Sequence, residues 1–186
     1  MSRGAHASRA QAPATHGLAR FTLAGLLLAG GLGTWLMADP YRLMEAKATA
    51  WLADLVSTQP IWSAAEQPVI FVGRPVDIAF VITPSCSSMI VAVIFFVASG
   101  LLSFFGRRFR LRRILMAFAV AVVLAAFINF ARMLLIVLAS SGWSRQIGFQ
   151  LSHEWLGSLL TVFGMAFALL VYLFLLARDR SPVASP

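Results

Sequence analysis

Four stretches of about 20 mostly apolar residues constrain this chain more than any other feature. A segment of that length matches the hydrocarbon thickness of a bilayer, where no water can satisfy backbone groups that a helix leaves unpaired. They cover roughly residues 18–38, 86–105, 114–139 and 156–177. The composition agrees: 60% of the 186 residues are hydrophobic and 12% are charged, and the mean hydropathy of +0.84 lies outside the range of water-soluble domains. A cleavable signal peptide also opens with basic residues and an apolar stretch, but the first run exceeds the usual 7–15 residues of such a segment and reads as a retained helix.

The formal net charge of +8 follows topology rather than a nucleic-acid surface. Arg3, Arg9 and Arg20 precede the first span, while Arg107, Arg108, Arg110, Arg112 and Arg113 join spans two and three. Arg178 and Arg180 follow the fourth. The segments between the other spans balance Arg42, Lys47 and Arg74 against five acidic residues, or hold only Arg145 and Glu154. The positive-inside rule then places both termini in the cytoplasm and the other two connections outside. The basic cluster is expected to meet anionic lipid, with no nucleic-acid partner.

Residues 1–17 and 178–186 lack apolar periodicity and read as cytoplasmic tails without order, flanking a single transmembrane domain over 18–177. Between the first two spans, Met44, Ala48, Trp51, Leu52, Leu55 and Val56 recur at helical spacing, which predicts a short amphipathic helix on the outer leaflet, placed to roof a site. Residues 69–72 and 76–82, joined by Gly73-Arg74-Pro75, predict a small β-hairpin. Gly25, Gly30, Gly31 and Gly33 in the first span predict close helix packing. The expected fold is therefore an all-α membrane protein, a four-helix transmembrane bundle carrying a short extracytoplasmic amphipathic helix and a small β-hairpin. No phosphate loop and no metal-ligand spacing occurs, so neither cofactor nor metal is expected.

Three residues stand out chemically. Cys86, the one cysteine, follows Thr83-Pro84-Ser85, where Thr83 could cap span two and Pro84 could open it. That would put the thiol in the first helical turn, whose dipole favours a thiolate nucleophile. A lone cysteine cannot form an internal disulfide, and its bland reading is a small boundary residue. Apart from Arg20 at the entry of span one, Arg132 is the one charge inside a predicted span, and an intramembrane arginine is a functional hypothesis by default, against the alternative of snorkelling. Eighteen residues from Ile114 place it about 27 Å along a core of about 30 Å, near the outer boundary. Asn129, three residues earlier, shares its helix face. His153 precedes span four, with Glu154 beside it, and is either an acid/base group or an ordinary interfacial histidine beside Trp155. Topology delivers all three to one membrane face, where they could perform acyl transfer: attack by the thiolate, proton transfer by the imidazole, and stabilisation of the oxyanion by the guanidinium.

At these residues the chain resembles the exosortase/archaeosortase family. The resemblance rests on Cys86-Ser87 after a hairpin, Asn129-Phe130-Ala131-Arg132 in the next span, and His153-Glu154 followed by Gly157. It implies a membrane-embedded cysteine transpeptidase that cleaves a C-terminal sorting signal, made of a short motif, a transmembrane helix and a basic tail, and passes the protein to a surface acceptor. It implies Cys86 as nucleophile, Arg132 as oxyanion stabiliser and His153 as acid/base, with Asn129, Ser87 and Glu154 in support. The family often has glycine two residues after the cysteine, where this chain has Ser88. Many members also have about eight spans, so four would make this a short member. Two other readings remain open: a non-catalytic membrane subunit for export or assembly of surface material, in which Arg132 and Asn129 bind a partner helix, and an intramembrane protease that hydrolyses without transfer.

Overall fold

The computed structural model describes residues 13–106, 108–142 and 156–178. The expected tails fall mostly outside them. Five helices are described: α1 Pro13–Leu36, α2 Ala38–Asp54, α3 Met89–Phe105, α4 Leu111–Gly142, and α5 Gly157–Ala177. Residues 17–36, 111–141 and 157–177 are long and apolar enough to cross a membrane. The chain is thus a helical, multi-pass membrane protein.

The span expected over 86–105 is shorter, because α3 begins only at Met89 and has 17 residues, about 25 Å at the helical rise. Conversely α4, with 32 residues, is about 48 Å long and overshoots a hydrocarbon core of about 30 Å. Its last turns leave the bundle and pack on a small sheet.

Lipid rather than water explains the exposure pattern. Leu26, Leu32, Val123, Phe127, Phe163 and Phe174 lie open along the spanning helices, while the helix contacts are built from small residues. Gly30 and Gly31 of α1 sit against Phe96 of α3, and Gly164 of α5 sits against Ile128 of α4. Gly25 and Gly33, expected in the same role, face no neighbour. Between α4 and α5, Ala117 and Ala121 join Ala168, Tyr172 and Leu176 in one buried cluster. Ser99 of α3 adds a hydrogen bond of 3.0 Å to the Tyr172 hydroxyl.

α2 follows α1 after a single turn residue, Met37. Its predicted apolar stripe is the open face: Met44, Trp51, Leu55 and Val56 are exposed, while Glu45, Ala46, Thr49, Ala50 and Ala53 are buried. The amphipathicity is inverted relative to a soluble protein, with the small and polar side turned to the protein.

That inner side meets a three-stranded antiparallel meander rather than the expected two-stranded hairpin: β1 Ile61–Ser63, β2 Val69–Val72, β3 Ile78–Val81. β1, three residues long, pairs Ile61 with Val72, and the Asp54 carboxylate anchors it by accepting the Ile61 N–H at 2.9 Å. Gly73 opens the β2–β3 turn with φ +86°, and a Cβ there would lie 2.5 Å from the Asp77 carboxylate. Ile61, Ile70, Val72 and Ile82 pack on Ala46 and Ala50 of α2 and on Met133 and Val137 of α4. The sheet is thereby fixed at the end of the bundle where α3 begins.

Candidate active site

Cys86 does not lie in the first turn of α3. It closes a separate 3-10 turn, Pro84–Cys86, after Thr83 in extended conformation. The Cys86 N–H is bound to the Thr83 carbonyl at 2.9 Å. Pro84 occupies the first position of that turn as the sequence predicts, but the Thr83 side chain makes no backbone cap. Its hydroxyl donates instead to Cys86 Sγ at 3.3 Å, and it also bonds the Ser85 hydroxyl at 2.9 Å. The amino end of α3 is served by other groups. Ser87 Oγ accepts the Met89 N–H at 3.2 Å, and Glu45 Oε1 accepts the Ser88 N–H at 3.1 Å. The negative charge that complements this helix end is therefore Glu45, not the thiol.

Arg132 reaches across from α4. Its Nη2 donates to Cys86 Sγ at 3.8 Å, joining residues 46 apart in sequence. The arginine is 7% exposed and its Nε has no partner, so the guanidinium keeps a free donor beside the sulfur. Asn129 does not hold it. One helical turn earlier, the Asn129 amide donates to Glu45 Oε1 at 3.2 Å.

Glu45, which sequence reasoning missed, is the organising group. Also 7% exposed, its Oε1 accepts a third hydrogen bond from Ser88 Oγ at 2.7 Å. Since the one Ser88 hydroxyl proton is committed there, the Tyr41 hydroxyl must be the donor in its 2.8 Å contact with Ser88 Oγ. Burial raises the Tyr41 pKa above its ordinary value, the Ser88 hydrogen bond lowers it, and the Glu45 charge raises it further. The phenol therefore stays protonated and able to donate. Arg42 completes this side: it pairs with Asp39 and donates to the Ile82 carbonyl at 3.1 Å. The available signal was the helical wheel of α2, where Tyr41, Glu45 and Thr49 recur every four residues on a face that flanks the exposed stripe of Met44, Trp51 and Leu55.

Two clefts meet at Arg132. One, about 560 Å³ and lined by Ser87, Ile90, Ile128, Asn129, Gly164 and Met165, runs down between α3, α4 and α5. The other, about 570 Å³, lies between β3 and the end of α4, lined by Ala79, Val81, Cys86, Met133 and Ile136. Ser87 and Ser88 are buried between them. His153 and Glu154 lie outside the described residues. Among the described residues no three His, Cys, Asp or Glu side chains converge to hold a metal ion.

The transmembrane exosortase family matches residues 11–172 of this chain. The chain belongs to that family. The match takes in α1 to α4, the sheet and most of α5, and with them every residue of the Cys86–Arg132–Glu45 site. Exosortase membership gives the chain a membrane-embedded role in processing sorting signals, within a family of peptidases and transpeptidases. No curated protein matches the chain, and no solved structure matches it.

Proposed function

We propose that this exosortase is a cysteine-dependent peptidase and transpeptidase acting at the extracytoplasmic face of the cell membrane, with both termini in the cytoplasm. The supporting observation is the contact between Arg132 Nη2 and Cys86 Sγ at 3.8 Å, a buried cation aimed at the single thiol of the chain. In this reading Cys86 attacks the scissile carbonyl. As the C–S bond forms, charge moves onto the carbonyl oxygen, and the unpartnered Arg132 Nε supports a role for this guanidinium in binding it. The C–N bond then breaks and His153 delivers a proton to the departing amine. His153 stands four residues before Gly157, which opens α5 beside the same cleft. The thioester is resolved when His153 takes a proton from water or from a surface acceptor, which attacks the acyl carbon and returns the thiolate.

In this reading the substrate's transmembrane helix lies along the mouth of the cleft between α3, α4 and α5, whose walls are apolar apart from Asn129, Arg132, Thr161 and the serines near Cys86. A non-catalytic subunit would use Arg132 and Asn129 to bind a partner helix, whereas here they bond Cys86 and Glu45 of the same chain. The test is maturation of a sorting-signal protein in cells. Cys86→Ala, Arg132→Ala and His153→Ala should each abolish it while inserting normally. Wild-type maturation by Cys86→Ala would remove the enzyme reading, and product mass would separate hydrolysis from transfer.

A further inference from the structure

β3 is the last strand of the sheet among the described residues, and its backbone leads in five residues from Val81 to Cys86. The antiparallel register pairs Val69 with Val81 and Ile70 with Phe80, and the Ile82 N–H reaches the Pro68 carbonyl at 2.8 Å. Alternation along an antiparallel ladder then turns the main-chain groups of Phe80 and Ile82 towards β2, and those of Ala79 and Val81 away from it. No hydrogen bond from Ala79 or Val81 to anything other than β2 occurs among the described residues. Val81 is 62% exposed, and both residues border the cleft that contains Cys86 and Arg132. An exposed strand edge is ordinarily blunted by charge, proline or cover. Residues 78–82, Ile-Ala-Phe-Val-Ile, have neither charge nor proline.

Resting on the peptidase reading, we propose that the sorting motif of the substrate binds as an added strand on the outer edge of β3, parallel to it. Extended peptides recognised this way gain affinity from main-chain hydrogen bonds and selectivity from pockets at alternate side chains. Direction follows from connectivity. β3 leads into α3 through the 3-10 turn, and a sorting signal likewise runs from an extended motif into a membrane helix. A substrate whose helix lies along the cleft beside α3 therefore descends along β3 in the same sense. Past Val81 it comes level with Thr83, whose hydroxyl touches the Cys86 sulfur. Its scissile carbonyl then comes alongside the contact between Sγ and the Arg132 guanidinium. Main-chain pairing tolerates varied side chains, so recognition would centre on backbone shape with selectivity at every second motif position.

Ala79→Pro and Val81→Pro each remove one outward N–H without touching the β2–β3 ladder, since proline is accepted at the outward positions of edge strands. Each should slow substrate processing by about tenfold, the equivalent of one main-chain hydrogen bond at the upper end of its net worth, while alkylation of Cys86 by iodoacetamide keeps its rate. A second test is independent of turnover. In a Cys86→Ala chain, Val81→Cys supplies the only thiol, and single cysteines are scanned through the motif of a co-expressed substrate under oxidation. Disulfides should form at the one motif position paired with Val81, more weakly two residues to either side, and not at the positions between. Uniform cross-linking, a three-to-four-residue period, or Val81→Cys chains that cross-link to each other without substrate would overturn the strand assignment. So would wild-type processing by both proline variants. If Cys86→Ala is inactive while the proline variants process normally, only the strand proposal fails; if Cys86→Ala still processes, the peptidase reading fails first.

Discussion

Replacing Glu45 by alanine should damage this protein more than any change to its exposed face, although Glu45 does not touch the thiol. Its Oε1 accepts hydrogen bonds from the Ser88 amide, the Ser88 hydroxyl and the Asn129 amide at 3.1, 2.7 and 3.2 Å. Each such bond to a charged group has a net worth of about 1.5–3 kcal/mol, offset by the cost of burying the carboxylate. Alanine would leave these donors unpaired in a buried site, so a loss of about 3–5 kcal/mol is expected, as for other broken buried polar networks. That corresponds to a fall of about 10 °C in the unfolding midpoint, read by tryptophan fluorescence of the detergent-purified protein. The coupling to function runs through two anchors. Ser88 opens α3 immediately after the Cys86 turn, and Asn129 sits one turn before Arg132, so releasing both frees Cys86 and Arg132 to drift apart. Processing should fall by at least about tenfold, and Glu45→Gln, which keeps shape and one acceptor, should recover part of both losses. Glu45→Ala with an unchanged midpoint and normal processing would refute the network.

Arg132→Lys should be nearly as inactive as Arg132→Ala, with processing lowered by about a hundredfold or more, because an ammonium on a flexible stem cannot reproduce a fork donating to sulfur and oxyanion together; rates of sorting-signal cleavage in membranes would check it. Thr83→Val removes the hydroxyl donating to Cys86 Sγ and should slow iodoacetamide alkylation of Cys86 by about fivefold, the worth of one hydrogen bond. Gly164→Ala would place a Cβ 2.3 Å from Ile128, so overpacking should destabilise the α4–α5 contact by about 1–3 kcal/mol, seen as a lower unfolding midpoint. Ser88→Gly, although it restores the residue common in the family, should lower the midpoint here, because Ser88 already has ordinary helical torsions (φ −69°) and its hydroxyl bonds both Glu45 and Tyr41.

The parts of this molecule legible in the sequence are those governed by one-dimensional patterns. Apolar runs of bilayer length gave the spanning helices, alternation gave β2 and β3, and helical recurrence of Met44, Trp51 and Leu55 gave α2. β1 escaped because three residues after Pro60 carry no period, and its place depends on Asp54 and Val72. The start of α3 was displaced because Pro84 followed by small polar residues fits a 3-10 turn as well as an α-helix. Choosing between them needs Glu45, 43 residues before Ser88. Cys86 and Arg132 could be singled out by chemical type, a lone thiol and an intraspan charge. Glu45 could not, because in an isolated helix a glutamate counts as solvated, and only the lipid-directed apolar face turns it inward.

The placement of Glu45 also bears on why the thiol and guanidinium meet at all. A buried arginine ordinarily seeks a carboxylate, and a buried carboxylate is bonded to Asn129 one helical turn away, yet Arg132 and Glu45 form no ion pair. Glu45 Oε1 accepts from Ser88 and Asn129 while its Oε2 has no partner, so the carboxylate is tied to the Asn129 amide and not to the arginine although one of its oxygens stays free. The two opposite charges still offset each other across the protein interior, which eases the burial of both. At the same time the guanidinium donates to Cys86 through Nη2 and keeps Nε without a partner. A direct salt bridge would have neutralised Arg132 and drawn it away from the sulfur. In the proposed mechanism, an amide bonded to the carboxylate keeps the compensating charge near while leaving the cation available to a carbonyl oxygen that becomes negative only during reaction.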